Sequence, residues 1–193
     1  ITLPHILQTS LKYKHGDLLL GIDPGYSNLG LAIVEVTPEG PRVVHTACVT
    51  IGKRGNPRGF LAPTQRHMDD ILKYDFIAWS TEAPPTVPNR VTANLLWFST
   101  GLIWSQIYKK VGKNPALVAP ARIKTHTARV LGIKSSKHWS PGKELVGQAV
   151  SILTNEPADQ RTNHENDAIM AVISAFMPEE INKGAKRWEK QTS

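Results

Sequence analysis

Leu-Leu-Leu-Gly-Ile-Asp-Pro-Gly-Tyr-Ser-Asn-Leu-Gly-Leu-Ala-Ile-Val-Glu-Val, residues 18 to 36, decides how the chain is read. An apolar run, Leu18 to Ile22, delivers Asp23 into a Pro24-Gly25 turn, and a second apolar run begins at Leu29. Two such runs around a turn predict a β-hairpin with a carboxylate at its mouth. Burying Asp23 in the first strand would cost several kcal/mol unless its charge were compensated, so an acid where a buried strand ends points to a metal or a reacting group. Asp-Pro-Gly is also ordinary turn chemistry, which would use Asp23 only to start the turn. On this stretch alone the two readings carry equal weight.

With 193 residues, 40% hydrophobic and 20% charged, the composition suits one domain with a sizeable core. No apolar run has the length of a membrane span and the N-terminus lacks a signal-peptide layout, so the chain reads as cytoplasmic. A single cysteine, Cys48, forms no intrachain disulfide and no cysteine metal cluster, and its apolar surroundings suggest core filling. A net charge of +7 favours a polyanionic partner, nucleic acid ahead of an anionic membrane surface.

Residues 1–16 carry no clean periodicity and read as an extension. Arg42 to Ile51 predicts a third strand and an antiparallel meander. The basic loop from Gly52 to Gly59, with Lys53, Arg54 and Arg58, lacks the Gly-Lys-Ser/Thr ending of a Walker A loop. It reads either as a solvated connector or as a loop that meets phosphates. Pro63 to Tyr74 is a short helix with Met68, Ile71 and Leu72 on one face. Phe76 to Glu82 is then a strand that ends in an acid and is broken by Ala83-Pro84-Pro85. The pattern repeats that of the first strand, and two strand-end acids are harder to assign to turns than one.

The longest helix runs from Thr92 to Val111, and its apolar residues cover a very broad arc. Either it is buried on all sides or part of it packs on another chain. Pro115 to Pro120 forms a short strand, Ala121 to Leu131 a basic helix, Gly132 to His138 a small cationic linker, and Pro141 opens a further helix. Strands alternating with helices after a meander indicate an α/β domain with a mixed sheet. Thr162 with Glu165 fits a capping box, so a helix starts there with His164 and Asp167 on one side of its first turns. Acids near a helix N-terminus are favoured by its dipole, which accounts for Glu165. Asp167 leads into an almost wholly apolar helix and needs a partner. Residues 179–193 read as a basic tail, solvated or touching nucleic acid.

Asp23, Glu82, His164 and Asp167 together would form a hard-ligand cluster suited to magnesium or manganese. Two such ions about 4 Å apart can activate water and stabilise the leaving oxygen in phosphodiester cleavage.

Gly-Ile-Asp-Pro-Gly-x-x-x-x-Gly (21 to 30), the strand-end Glu82, Pro120-Ala-Arg-Ile-Lys124 and His164-x-x-Asp167-Ala resemble the RuvC-type Holliday junction resolvases of the RNase H-like superfamily. The resemblance covers roughly residues 18–177, with four motifs in order. It implies a five-stranded mixed sheet, three antiparallel strands then parallel ones, flanked by α-helices over residues 17–178. It also implies a homodimer through the helix 92–111, and symmetric nicking of four-way DNA junctions that depends on Mg2+, two ions per active site, with Mn2+ as a substitute. Asp23, Glu82 and Asp167 then become metal-binding carboxylates. His164 takes the fourth position as a ligand or as the group that deprotonates or positions water. Asn89 matches a DNA-contacting asparagine, Lys124 matches a basic residue of the DNA groove, and Lys134 or Lys137 supplies a second; Arg58, Arg90 and Arg122 join them as DNA-binding candidates.

The chain departs from the pattern after Glu82, where relatives often carry a phenylalanine wedge and this sequence has Ala83-Pro84-Pro85-Thr86-Val87-Pro88. Asp-x-Gly near the N-terminus also resembles the actin and sugar-kinase phosphate loop, but that fold needs two domains, which 193 residues do not supply. A junction-binding protein without cleavage, and a nuclease of the same fold acting on other branched DNA or on RNA, are the remaining alternatives.

Overall fold

Leu18–Pro24 forms β1 and Asn28–Thr37 forms β2, paired antiparallel with Asp23 opposite Gly30. The computed structural model describes residues 13–25, 28–50, 58–83, 90–134 and 142–192. Gly40–Thr50 is β3, antiparallel to β2, and Phe76–Glu82 is β4, parallel to β1. Ala116–Val118 is β5, parallel to β4. The sheet order is β3-β2-β1-β4-β5, a five-stranded mixed sheet of three antiparallel strands continued by parallel ones, as the sequence leads one to expect. β1 lies at its centre and is buried along almost its whole length, which is why it reads as an unbroken apolar run.

Helices cover both faces. Arg58–Ile71 (α1) and Arg90–Val111 (α2) lie on one, where Met68, Ile71, Ile103 and Ile107 pack with Leu20, Ile22, Leu31 and Trp79. Pro120–Val130 (α3), Lys143–Thr154 (α4), Asn163–Phe176 (α5) and Pro178–Thr192 (α6) cover the other. There Val130, Val150, Leu153, Ile169 and Ile173 pack with Leu19, Ala32, Val34 and Ala78. Alternate residues of each strand therefore feed two cores, and Gly21, Asp23, Gly30 and Glu82 all belong to the α5 face.

α5 sits against β1 and β2 at backbone distance. A β-carbon on Gly21 would lie 2.1 Å from the Ala168 carbonyl oxygen, and one on Gly30 would lie 2.0 Å from that of His164. Glycine at both positions lets the helix descend onto the strands. The capping box at the start of α5 is complete: Glu165 N–H donates to Thr162 Oγ1 at 3.3 Å, and Thr162 N–H donates to Glu165 Oε2 at 2.7 Å.

Several expectations are corrected. α1 begins at Arg58 rather than Pro63, so the proline lies beyond the first turn instead of opening the helix. For α2, of the two readings left open, full burial does not hold: Leu96, Ile103 and Ile107 face the core while Trp97, Phe98 and Tyr108 are 53%, 58% and 50% exposed. Cys48 is half-buried on the edge strand β3 rather than in the core. Of residues 179–193, expected as a tail, 179–192 belong to α6, which packs on α3 and α4 with Ile181 fully buried. Its apolar residues Ile181, Gly184 and Trp188 recur at helical spacing and explain the seating. The extension up to residue 12, the loop 51–57 with Lys53 and Arg54, the proline segment 84–88, Asn89 and Lys137 lie outside the described residues.

The glycine contacts predict that Gly30→Ala or Gly21→Ala costs about 3 kcal/mol or more, because backbone rather than a movable side chain blocks the new methyl group. Urea denaturation measures this. A loss under about 1 kcal/mol would show that α5 can shift at no great cost.

Candidate active site

Asp23 lies one residue before the end of β1 and Glu82 closes β4, each one position beyond the Ile22–Thr81 pair of the parallel ladder, so the two acids stand side by side. α5 enters from above with His164 and Asp167 in its first turns. His164 Nδ1 lies 2.6 Å from Asp23 Oδ2, a short charge-assisted hydrogen bond in which the ring nitrogen donates. The close approach of its carbonyl to Gly30 fixes its backbone, and the Asp23 carboxylate holds its ring.

The electrostatics follow from burial and crowding of like charges. Burial pushes Glu82 up to about 8, with the nearby Asp23 and Asp167 charges and a hydrogen bond to Asp23 adding to the rise; the Lys124 ammonium opposes it. Burial and the Asp23 charge raise Asp167 to about 6, against His164 and Lys143. The hydrogen bond to Asp23 holds His164 above the usual histidine range, against its own burial. Glu82, His164 and Asp167 thus all feel the Asp23 carboxylate and form one interacting electrostatic group around it.

The donor set fits a divalent cation. Hard carboxylate oxygens dominate it, and the repulsion that drives Glu82 toward neutrality is what a cation would relieve. In the arrangement seen here Asp23 is hydrogen-bonded to His164, and no three His, Cys, Asp or Glu side chains among the described residues have the spacing of a metal-binding set.

Of the cationic candidates, Lys124 on α3 is half-buried and acts on Glu82. Arg122 lies two residues earlier and is exposed, as are Arg90 at the start of α2 and Lys134 just beyond α3. Arg58 opens α1, and its side chain is not among those described. The sequence reading missed Lys143. It opens α4, and its charge acts on both His164 and Asp167. Its closeness is set by α4 packing against α5 and leaves no mark in local sequence.

The chain matches no protein-family model and no curated protein by sequence. Solved structures do resemble it. A Thermus thermophilus RuvC in complex with Holliday junction substrate is 18% identical with a TM-score of 0.67, over 86% of this chain and 97% of that one. A second T. thermophilus RuvC structure is 19% identical with a TM-score of 0.62, over 81% and 92% of the two chains. The yeast mitochondrial Holliday junction resolvase is 11% identical with a TM-score of 0.56, over 92% and 87%. The likeness extends over nearly all of the fold, and at this identity it speaks for the fold, the RNase H-like arrangement of the RuvC structures.

The raised acids give a pH dependence. An acid whose folded value lies above its unfolded one weakens the fold as pH rises between the two, and a histidine held above 6.5 acts in the same direction there. From pH 6.5 to 8 the metal-free protein should lose about 1–2 kcal/mol of stability, and Glu82→Gln should remove most of that slope. Denaturation midpoints at three pH values read this out; stability that rises over the interval would mean Glu82 is already ionised in the fold.

Proposed function

We propose that the chain is a metal-dependent endonuclease that resolves four-way DNA junctions by nicking two strands symmetrically as a homodimer. The observation that carries the reading is the meeting of Asp23, Glu82, His164 and Asp167 at one edge of a RuvC-like sheet. A net charge of +7 and the half-buried Lys124 beside the acids support a phosphodiester substrate over a neutral one.

Asp23, Glu82 and Asp167 would hold Mg2+, or Mn2+ in its place, with His164 completing the set; the bound ions supply Lewis acidity and lower the pKa of water. The protein's part is orientation and proton handling. Asp23 fixes the His164 ring by accepting from Nδ1, which leaves Nε2 facing away from that bond as the atom able to take a proton from attacking water or to ligate metal. Lys124 and Lys143 offset the negative charge around the reacting phosphate. Arg58, Asn89, Arg90, Arg122, Lys134 and Lys137 would hold the DNA arms, chiefly by phosphate contacts, so binding should weaken steeply with salt.

The dimer reading rests on α2. Trp97, Gly101, Trp104 and Tyr108 recur along one stripe, and among the described residues nothing outside the local helix backbone lies within 4 Å of where a β-carbon on Gly101 would stand. Trp97, Phe98 and Tyr108 are large exposed side chains of this helix, while Trp104 packs edge-on against Trp79. A second α2 crossing near Gly101 would cover these aromatic rings and set two active sites about a two-fold axis.

A labelled four-way junction and a linear duplex of the same arms, each with magnesium and with chelator, test the reading. Paired magnesium-dependent nicks confined to the junction are expected. Asp23→Asn should bind the junction within about threefold of the parent and lose cleavage by about 10³-fold or more. His164→Asp should keep part of the activity, since a carboxylate can serve at that position. Binding without nicks in any divalent metal would leave an architectural binder, and equal cutting of both substrates a general nuclease.

A further inference from the structure

The chain leaves α3 through a turn that a residue near the far end of the sequence covers. Gly132 adopts a left-handed φ of 65°, its N–H donates to Arg129 O at 3.2 Å, and Ile133 N–H donates to Ala128 O at 2.8 Å. This is a Schellman ending, which favours glycine by conformation. Space is tight there as well: a β-carbon on Gly132 would stand 3.1 Å from Trp188 Cδ1 and 3.7 Å from Nε1. The indole of α6 therefore lies directly on the turn, two residues before Lys134.

α6 is itself held at several points. A β-carbon on Gly184 would lie 2.9 Å from Leu153 Cδ2 and 3.1 Å from Val130 Cγ1, so the helix backbone seats closely on α4 and α3. Arg187 donates to Ile152 O in α4 and to Glu39 O in the β2–β3 turn, each at 3.3 Å. The consecutive residues Arg187 and Trp188 thus tie the strand turn, α4 and the exit of α3 together. α3 also carries Lys124, whose charge reaches Glu82.

We propose that Trp188 is a positioning residue for DNA: it clamps the Gly132 turn and so sets the direction in which Lys134 leaves α3 toward a phosphate of the bound arm. The inference rests on the nuclease reading. An ammonium on a freely swinging exit gives up ordering entropy each time it binds, and a clamped exit has already lost that freedom.

The full-length protein tests this with Trp188→Ala, Trp188→Phe, Lys134→Ala and the Trp188→Ala/Lys134→Ala double variant. Junction affinity across salt concentrations and single-turnover cleavage at saturating DNA are the readouts. Trp188→Ala should weaken binding about fivefold to tenfold and reduce the salt slope by about one, with the saturated cleavage rate unchanged. Trp188→Phe should restore most of the affinity, and the double variant should bind no worse than either single one. A lower melting temperature with affinity and salt slope intact, or losses that multiply in the double variant, would overturn the proposal. If the parent protein binds no DNA, the nuclease reading fails and takes the DNA role with it. Amide exchange at Ile133 then decides the clamp separately: faster exchange in Trp188→Ala sustains it, and unchanged exchange refutes it.

Discussion

The main-chain carbonyls of His164 and Ala168 occupy the space that side chains would take at Gly30 and Gly21, and the rest of the site hangs on that approach. A helix packed on a sheet through ordinary side chains stands about 10 Å away. Seated on two glycines, α5 comes close enough for a side chain in its first turn to reach the end of β1. The 2.6 Å bond between His164 and Asp23 is the result, and the buried apolar length of α5 from Ala168 to Ile173 holds the helix down. The complete capping box at Thr162 fixes where that helix begins and so which residues face the strand ends.

The same approach stores repulsion. Asp23, Glu82 and Asp167 are gathered into a half-buried space with one imidazole and two lysines nearby, and burial pushes Glu82 to about 8. The hydrophobic layers on both sheet faces must offset that cost, which a divalent cation would relieve. Strongly perturbed carboxylates gathered in one place are a common mark of functional sites.

The sequence carried much of this openly where the signal was local. The β1–β2 hairpin, the strand-end Glu82 and the capping box depend on neighbours within a few residues, and each lies where its pattern indicated. Non-local features were hidden. Gly21 and Gly30 look like turn glycines until a helix 140 or so residues away is laid across them. Lys143 is an unremarkable charge until α4 packs on α5. α6 was obscured by its lysines and arginine: their charge suggested a tail, whereas Ile181, Gly184 and Trp188 at intervals of three and four form its seating face. Pro63 misled in the opposite way, as a helix-opening residue inside a helix that starts at Arg58.

The account turns on one claim, that the acids at the ends of β1 and β4 and the first turns of α5 form a single metal-binding group. A crystal of the protein grown with Mn2+ and measured at the manganese absorption edge tests it without recourse to activity. Anomalous peaks between Asp23, Glu82 and Asp167, with all three carboxylates turned toward them, are predicted. Manganese bound only elsewhere, with the Asp23–His164 hydrogen bond intact, would contradict it.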